Sequence, residues 1–292
     1  MEEKKSGGRI ISLFKKQNTL CVPLFSENLN KPGISSITMP LGKVNITRKI
    51  SELTIILRCC TSYKNKKSQV LLDQNKNRIF EFPKSEYTLR TINSLICSCN
   101  DALKEFSSLN IKLIVTDHNS EIEIIQKIEA CLKKANFKTS IINLDGTKFN
   151  DVINKKDELN NPISDSMFSN FMNTYNSLLL SRNEAKDLVY LLEDDYIHKR
   201  EAIKEMLFAY ERIATQLNKE IFLCPADYPY LYTKIEYSKI FVGSKTHWRT
   251  VNETLFTFMT SKQMILKYWN ELKSMTTLRY HPAEKILHEI YE

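Results

Sequence analysis

Leu188-Val189-Tyr190-Leu191-Leu192-Glu193-Asp194-Asp195-Tyr196-Ile197-His198 is an apolar run that ends in three consecutive carboxylates. Apolar residues bounded by a polar turn read as a short buried strand. Clustered carboxylates just past such a strand repel one another and lose hydration. The arrangement persists most easily when a hard cation sits between them. Magnesium and manganese are commonly held by one or two carboxylates, with phosphate and water completing the shell. The plainer reading is an acidic turn before a helix, whose N-terminus favours negative charge.

Working outward, the same grammar recurs upstream. LTIIL at 53–57 reads as a first strand, IKLIVT at 111–116 as a second and residues 139–144 as a third. Between them, residues 87–106 place Leu89, Ile92, Leu95, Ile96 and Leu103 at helical spacing, and residues 121–135 and 166–181 read as further helices. Residues 200–217 form a long amphipathic helix. Alternating strands and helices predict an α/β fold built on a mixed, mostly parallel sheet flanked by helices. Beyond residue 220 the pattern changes to short strands at 221–224, 240–242 and 254–259, then helices at 262–272 and 282–291. The expected division is an irregular N-terminal arm over 1–50, a ligand-binding half over 51–220 and a second half over 221–292 that stops inside a helix, as a truncated chain would. Residues 63–83 read as an insertion or long loop.

In an open parallel sheet, ligands bind beyond the carboxyl ends of the strands. Arg58 follows the first strand, Asp117 the second and Glu193-Asp194-Asp195 the fourth, so the fold rule brings three distant segments to one edge. Composition narrows the chemistry. Of 292 residues, 42% are hydrophobic, enough for a sizeable core. Lys+Arg 42 against Asp+Glu 34 leaves a net charge of +8, which suits an anionic partner. The basic residues are scattered and are not interleaved with aromatics, which argues against nucleic acid. The 6 glycines form neither GxGxxG nor a Walker loop, so a dinucleotide oxidoreductase and a P-loop NTPase are both disfavoured. Any bound phosphate must be held by a metal and side chains. The 7 cysteines are odd in number and include no CxxC, which predicts free thiols in a reducing compartment. With no leader pattern and no apolar stretch near the ~18 residues of a span, the expectation is a cytoplasmic protein touching membranes, if at all, through its basic surface.

Three of these segments carry a resemblance. LTIILR at 53–58, IVTDHNS at 114–120 and LLEDD at 191–195 resemble, in order and spacing, the GT-A-fold nucleotide-sugar glycosyltransferases, closest to the family 2 type. The likeness runs from about 53 to 259, and Glu193 replaces the first Asp of the commoner DxD motif. It implies that Asp117 contacts the base or ribose, that Glu193 and Asp194 lie near ribose and metal, and that Asp195 is the principal ligand of a Mn2+ or Mg2+ ion, with Asp194 beside it. The donor would be a nucleoside-diphosphate sugar, a UDP-sugar first, and the acceptor a glycan or a lipid-linked glycan, attacked with inversion. Each role has a plainer counterpart: Asp117 as a turn residue bonding its own backbone, and Arg58 as the partner of a neighbouring carboxylate.

The base should come from the second half. Glu284, in HPAE at 281–284, stands where the family often places an acid, and Asp227, in CPADYPY at 224–230, is its rival. Trp248 and Arg249, in THWRT at 246–250, offer an aromatic face and a guanidinium for sugar or diphosphate, or else simply form an exposed edge strand. Tyr228, Tyr230 and Tyr232 alternate, as residues lining an acceptor groove or packing one strand face would. The competing functions are a nucleotide-sugar-forming nucleotidyltransferase, which lacks its glycine-rich loop here, and a non-catalytic nucleotide- or glycan-binding module.

Overall fold

The computed structural model describes residues 45–61, 83–156, 160–233, 237–252, 254–276 and 285–291. The arm at 1–44 and most of the expected insertion therefore fall outside the described residues, as does Glu284. Two compact units emerge. One holds residues 50–206 among others, together with Glu220–Asp227 and residues 252–291. The other holds residues 45–49, Leu207–Lys219 and Tyr228–Val251.

The larger unit is built on a five-stranded sheet in which β1 (Glu52–Cys59), β2 (Asn110–Asp117), β3 (Lys138–Asn143) and β4 (Leu188–Glu193) run parallel. A last strand, β7 (Phe258–Ser261), adds antiparallel to β4, so the order is β3-β2-β1-β4-β7. Helix α1 (Lys84–Ala102) links β1 to β2, α2 (Ile122–Leu132) links β2 to β3, and α3 (Asp165–Glu184) returns the chain to β4 on the other side of β1. The chain thus reverses direction across the sheet between β1 and β4. Strands β1 and β4 are almost wholly buried, which is why they read as continuous apolar runs rather than as alternation.

Alternation along the strands still sorts their side chains by face. Ile56, Val189 and Leu191 join Leu178 of α3 in one core cluster, completed by Phe256, Phe258, Ile265, Leu272, Met275 and Leu287. Arg58 and Glu193 continue that parity to the α3 side, where Arg58 reaches Asn170 and Thr174. Tyr190 and Asp194 take the other parity, and Asp194 meets Thr88 of α1 there. A second apolar cluster, Phe149, Ile153, Phe171 and Met172, packs under the 3-10 turn Gly146–Phe149.

Several boundaries differ from the sequence reading for local reasons. The expected strand at 221–224 contributes only the single bridge Leu223↔Met259. The helix expected at 262–272 breaks at Tyr268 into α5 (Lys262–Lys267) and α6 (Trp269–Ser274), with Tyr268 leaving helical geometry at φ −105, ψ 29. Residues 285–291 close the larger unit as α7, which packs on α6. In the smaller unit, β5 (Ile240–Val242) and β6 (His247–Arg249) form an antiparallel hairpin. Helix α4 (Ala202–Leu217) carries the long amphipathic segment. Among the described residues no helix is long and apolar enough to cross a membrane.

Candidate active site

The parallel register sets the ends of β1, β2 and β4 level. Arg58 lies opposite Glu193 on one side and Thr116 on the other, and Cys59 lies opposite Asp117. Arg58, Asp117 and the carboxylate turn are therefore brought together at the carboxyl edge, on the β1/β4 switch point where α/β sheets open a ligand crevice.

Within that edge the three acidic residues go three ways. Glu193 is bound by Arg58, Nη2 to Oε1 at 2.6 Å. Arg58 itself is 7% exposed, donates to Thr174 and Asn170, and lies over the Phe256 ring at 4.7 Å. Phe256 holds φ 48, a left-handed conformation costly for an aromatic residue, and this puts its ring beside the guanidinium. Arg58 is thus a buried counterion for Glu193, with its Nε left without a hydrogen-bond partner among the described residues. Asp194 is buried, accepts from Thr88 Oγ1 at 2.7 Å and faces Lys84 Nζ at 3.6 Å. Asp195, the next residue of the turn, is exposed.

Asp117 is also buried. Ser120 donates to it twice, backbone N to Oδ2 at 3.1 Å and Oγ to Oδ1 at 2.5 Å, so its side chain closes its own turn around Asn119, at φ 63. Ser120 is in turn bonded by Thr61 past the end of β1. Burial pushes the Asp117 carboxyl above the ordinary range, the Ser120 bonds and His118 pull it down, and Asp194 adds to the rise. His118 is buried with Nδ1 2.8 Å from Ser169 Oγ, and burial holds its imidazole below the ordinary value, against the pull of Asp117. Burial also raises the Cys59 and Cys60 thiols, which keeps them protonated and weakly nucleophilic.

Sequence reasoning missed the side chains of α3 and α1 that shape this edge. Asn173 donates to the Cys59 and Thr116 carbonyls and accepts from Thr116 Oγ1 at 2.6 Å, stapling the ends of β1 and β2. The signal was present: Asn170, Asn173, Thr174 and Ser177 repeat at helical spacing, a polar stripe that is buried from Asn173 on and exposed at Asn170. Lys84 and Thr88, four residues apart, are the corresponding pair on α1.

The remaining candidates are placed as follows. Leu223 bridges Met259 antiparallel, and Met259 is itself antiparallel to Tyr190, so the segment leading to Asp227 runs in the direction of β4. Asp227 comes four residues after Leu223 and is exposed. Trp248 and Arg249 belong to β6 of the smaller unit, where Arg249 lies 4.8 Å from the Tyr232 ring centroid. Both side chains are half-buried there.

Among the described residues no three His, Cys, Asp or Glu side chains are grouped to hold a metal by themselves. Glu193, of the three carboxylates, is the one paired with Arg58. The donor set that remains is Asp194 and Asp195, adjacent at one turn. Counting Arg58 and Lys84 against Asp117, Glu193, Asp194 and Asp195 leaves the edge two positive charges short. That set fits a sparsely ligated hard cation which takes most of its shell from phosphate and water.

No protein-family model matches the chain, and no curated protein matches it. Among solved structures, that of an active-site mutant of LgtC is similar, with a TM-score of 0.40 and 13% sequence identity over 82% of this chain and 70% of that one. The likeness is one of sheet-and-helix layout and is too loose to transfer a function or a residue role.

Proposed function

We propose that the chain is a glycosyltransferase that takes a sugar from a nucleoside-diphosphate donor, a UDP-sugar first, and passes it with inversion to a glycan or lipid-linked acceptor. The observation that carries this reading is the convergence of Arg58, Lys84, Asp117, Glu193 and Asp194 on the switch-point edge of a parallel sheet, in a chain with no glycine phosphate loop. Asp117 with its Ser120-closed turn forms the wall for base and ribose. Arg58 pairs with Glu193, and its charge opposes the rise that burial, Asp195 and Asp194 impose on that carboxyl. Asp194 and Asp195 would hold Mn2+ or Mg2+, which when bound offsets negative charge on the leaving nucleoside diphosphate. Asp227 accepts the proton of the acceptor hydroxyl, with Glu284 as the alternative base.

The test is calorimetric titration with UDP and GDP, first in chelator and then in Mn2+, paired with release of UDP from UDP-sugars. Binding that tightens in Mn2+, and is lost with release in Asp195→Ala while the fold persists, is the expected result. Equal affinity in both conditions removes the metal from the reading. No nucleotide affinity at all removes the reading.

A further inference from the structure

Lys84 stands where helix electrostatics disfavour it. It opens α1, and the first turn of a helix carries the positive end of the backbone dipole. A cation there needs an anion, and Asp194 supplies one, yet the pair is not a hydrogen bond. Nζ and Oδ1 are 3.6 Å apart, beyond bonding range, while the other oxygen of Asp194 takes its bond from Thr88 at 2.7 Å. The two partners are also unequally fixed. Asp194 keeps 8% of its side chain exposed and Lys84 keeps 43%. The carboxylate is anchored and the ammonium can turn.

The surroundings say toward what. The charge of Lys84 acts on Cys59 and Cys60 at the end of β1 and on Asp194 and Asp195 after β4, the two strands that flank the switch point. Burial works to lower its pKa, but these neighbours, Asp194 foremost, more than offset that and hold it charged. Arg58, the other cation of the edge, is buried and committed to Glu193. Among the described residues, Lys84 is therefore the cation at this edge with both exposure and a loose partner.

We propose that Lys84 is a contact for the donor's phosphates, held by Asp194 until they arrive. On nucleotide entry Nζ turns from Asp194 Oδ1 to a phosphate oxygen, and Asp194 is left to the incoming divalent cation. This rests on the nucleotide-dependent reading above and adds an exchange of partners to it. No covalent bond changes. Lys84 and a free divalent ion then compete for Asp194, whereas Lys84 and a nucleotide-bound ion act together.

The experiment compares the whole chain with Lys84→Gln and Lys84→Arg by calorimetry, using uridine, guanosine, UDP and GDP in Mn2+, and Mn2+ alone. Loss of a charge-assisted bond predicts that Lys84→Gln binds the diphosphate about 10- to 100-fold more weakly, with nucleoside affinity unchanged and Lys84→Arg retaining most of the diphosphate affinity. Mn2+ alone should bind Lys84→Gln more tightly than the wild type, an effect that a merely structural lysine would not produce. Should the Gln variant not fold, Lys84→Met keeps the apolar stem and serves in its place. A wild type that binds diphosphate and a variant that binds it equally well overturns this inference alone. So does an equal loss for nucleoside and diphosphate, or a Mn2+ affinity that fails to rise. A wild type that binds no nucleotide overturns the functional reading, and this inference with it.

Discussion

At the scale of single residues, Asp117 serves its own turn first: Ser120 donates to both of its oxygens. The sequence allowed either a turn residue or a base contact there, and bonding partners within a few residues are the kind of detail it does show. What it could not show is burial, which raises the carboxyl's pKa. A raised native pKa means that the ionised form costs stability once the pH exceeds it, while the protonated form is fully compatible with the fold below the unfolded value. Two substitutions separate the turn from the charge. Asp117→Ala leaves the Ser120 N–H without its acceptor and should cost about 1–3 kcal/mol in urea denaturation. Asp117→Asn keeps an acceptor and removes the charge, so it should be at least as stable as the wild type at pH 7. Both should bind nucleotide more weakly. An Asn variant as destabilised as Ala would mean that the charge itself supports the turn. Arg58 is less legible: a charged residue ending an apolar strand reads as a ligand contact, and only the Glu193 register and the Phe256 ring reveal a buried counterion.

Elements were legible where local pattern decides them and blurred where tertiary packing does. Strands β1, β2 and β4 announce themselves as apolar runs, and α1 and α2 through their apolar spacing. Helix α3 was placed, but the meaning of its polar stripe was not, because Asn173 and Thr174 acquire their purpose only against strand ends distant in sequence. Nothing local marks Tyr268 as a break, and β7 has no period that distinguishes an antiparallel edge. The turn after β4 is anchored in the same non-local way. His198 meets Tyr190 Oη at 3.0 Å through Nε2, and its backbone N donates to Ser94 of α1. Burial pulls its imidazole from the ordinary 6.5 down to about 4. Between those values the unfolded chain takes up a proton that the folded chain refuses. Stability should therefore fall as pH drops through that window and recover as it rises, by a total on the order of 3 kcal/mol. Comparing wild type with His198→Gln by urea denaturation at pH 7 and pH 4.5 isolates this group. The variant should be weaker at pH 7, having altered the Tyr190 bond, and the gap should narrow or reverse at pH 4.5. A gap that does not move with pH would show that His198 is protonated inside the fold.

For the whole molecule, the parallel run of the first four strands followed from alternation of strand and helix, whereas the strand order, and with it the switch point, came only with the pairing of β4 on the other side of β1 from β2. The grouping of residues into two units did not follow from the sequence, since Trp248 and Arg249 fall in one unit with 207–219, far from them in sequence. Nor did the heading of the segment before Asp227, which depends on the bridge Leu223↔Met259 and on β7 running against β4. Two antiparallel steps restore the direction of β4 at Leu223, and Asp227, four residues on and exposed, is the base we propose to test first. A general base acts on the acceptor and not on the nucleotide. Asp227→Asn should therefore lower turnover by about 10²–10⁴-fold while UDP and GDP affinity in Mn2+ stays at the wild-type level. Glu284→Gln, measured beside it, should turn over normally. If the two results are exchanged, the base is Glu284 and the heading of the 221–227 segment serves only to close the sheet edge. If Asp227→Asn loses donor affinity as well as turnover, the residue belongs with Asp194 and Asp195 on the donor side, and the acceptor's proton must leave by another group.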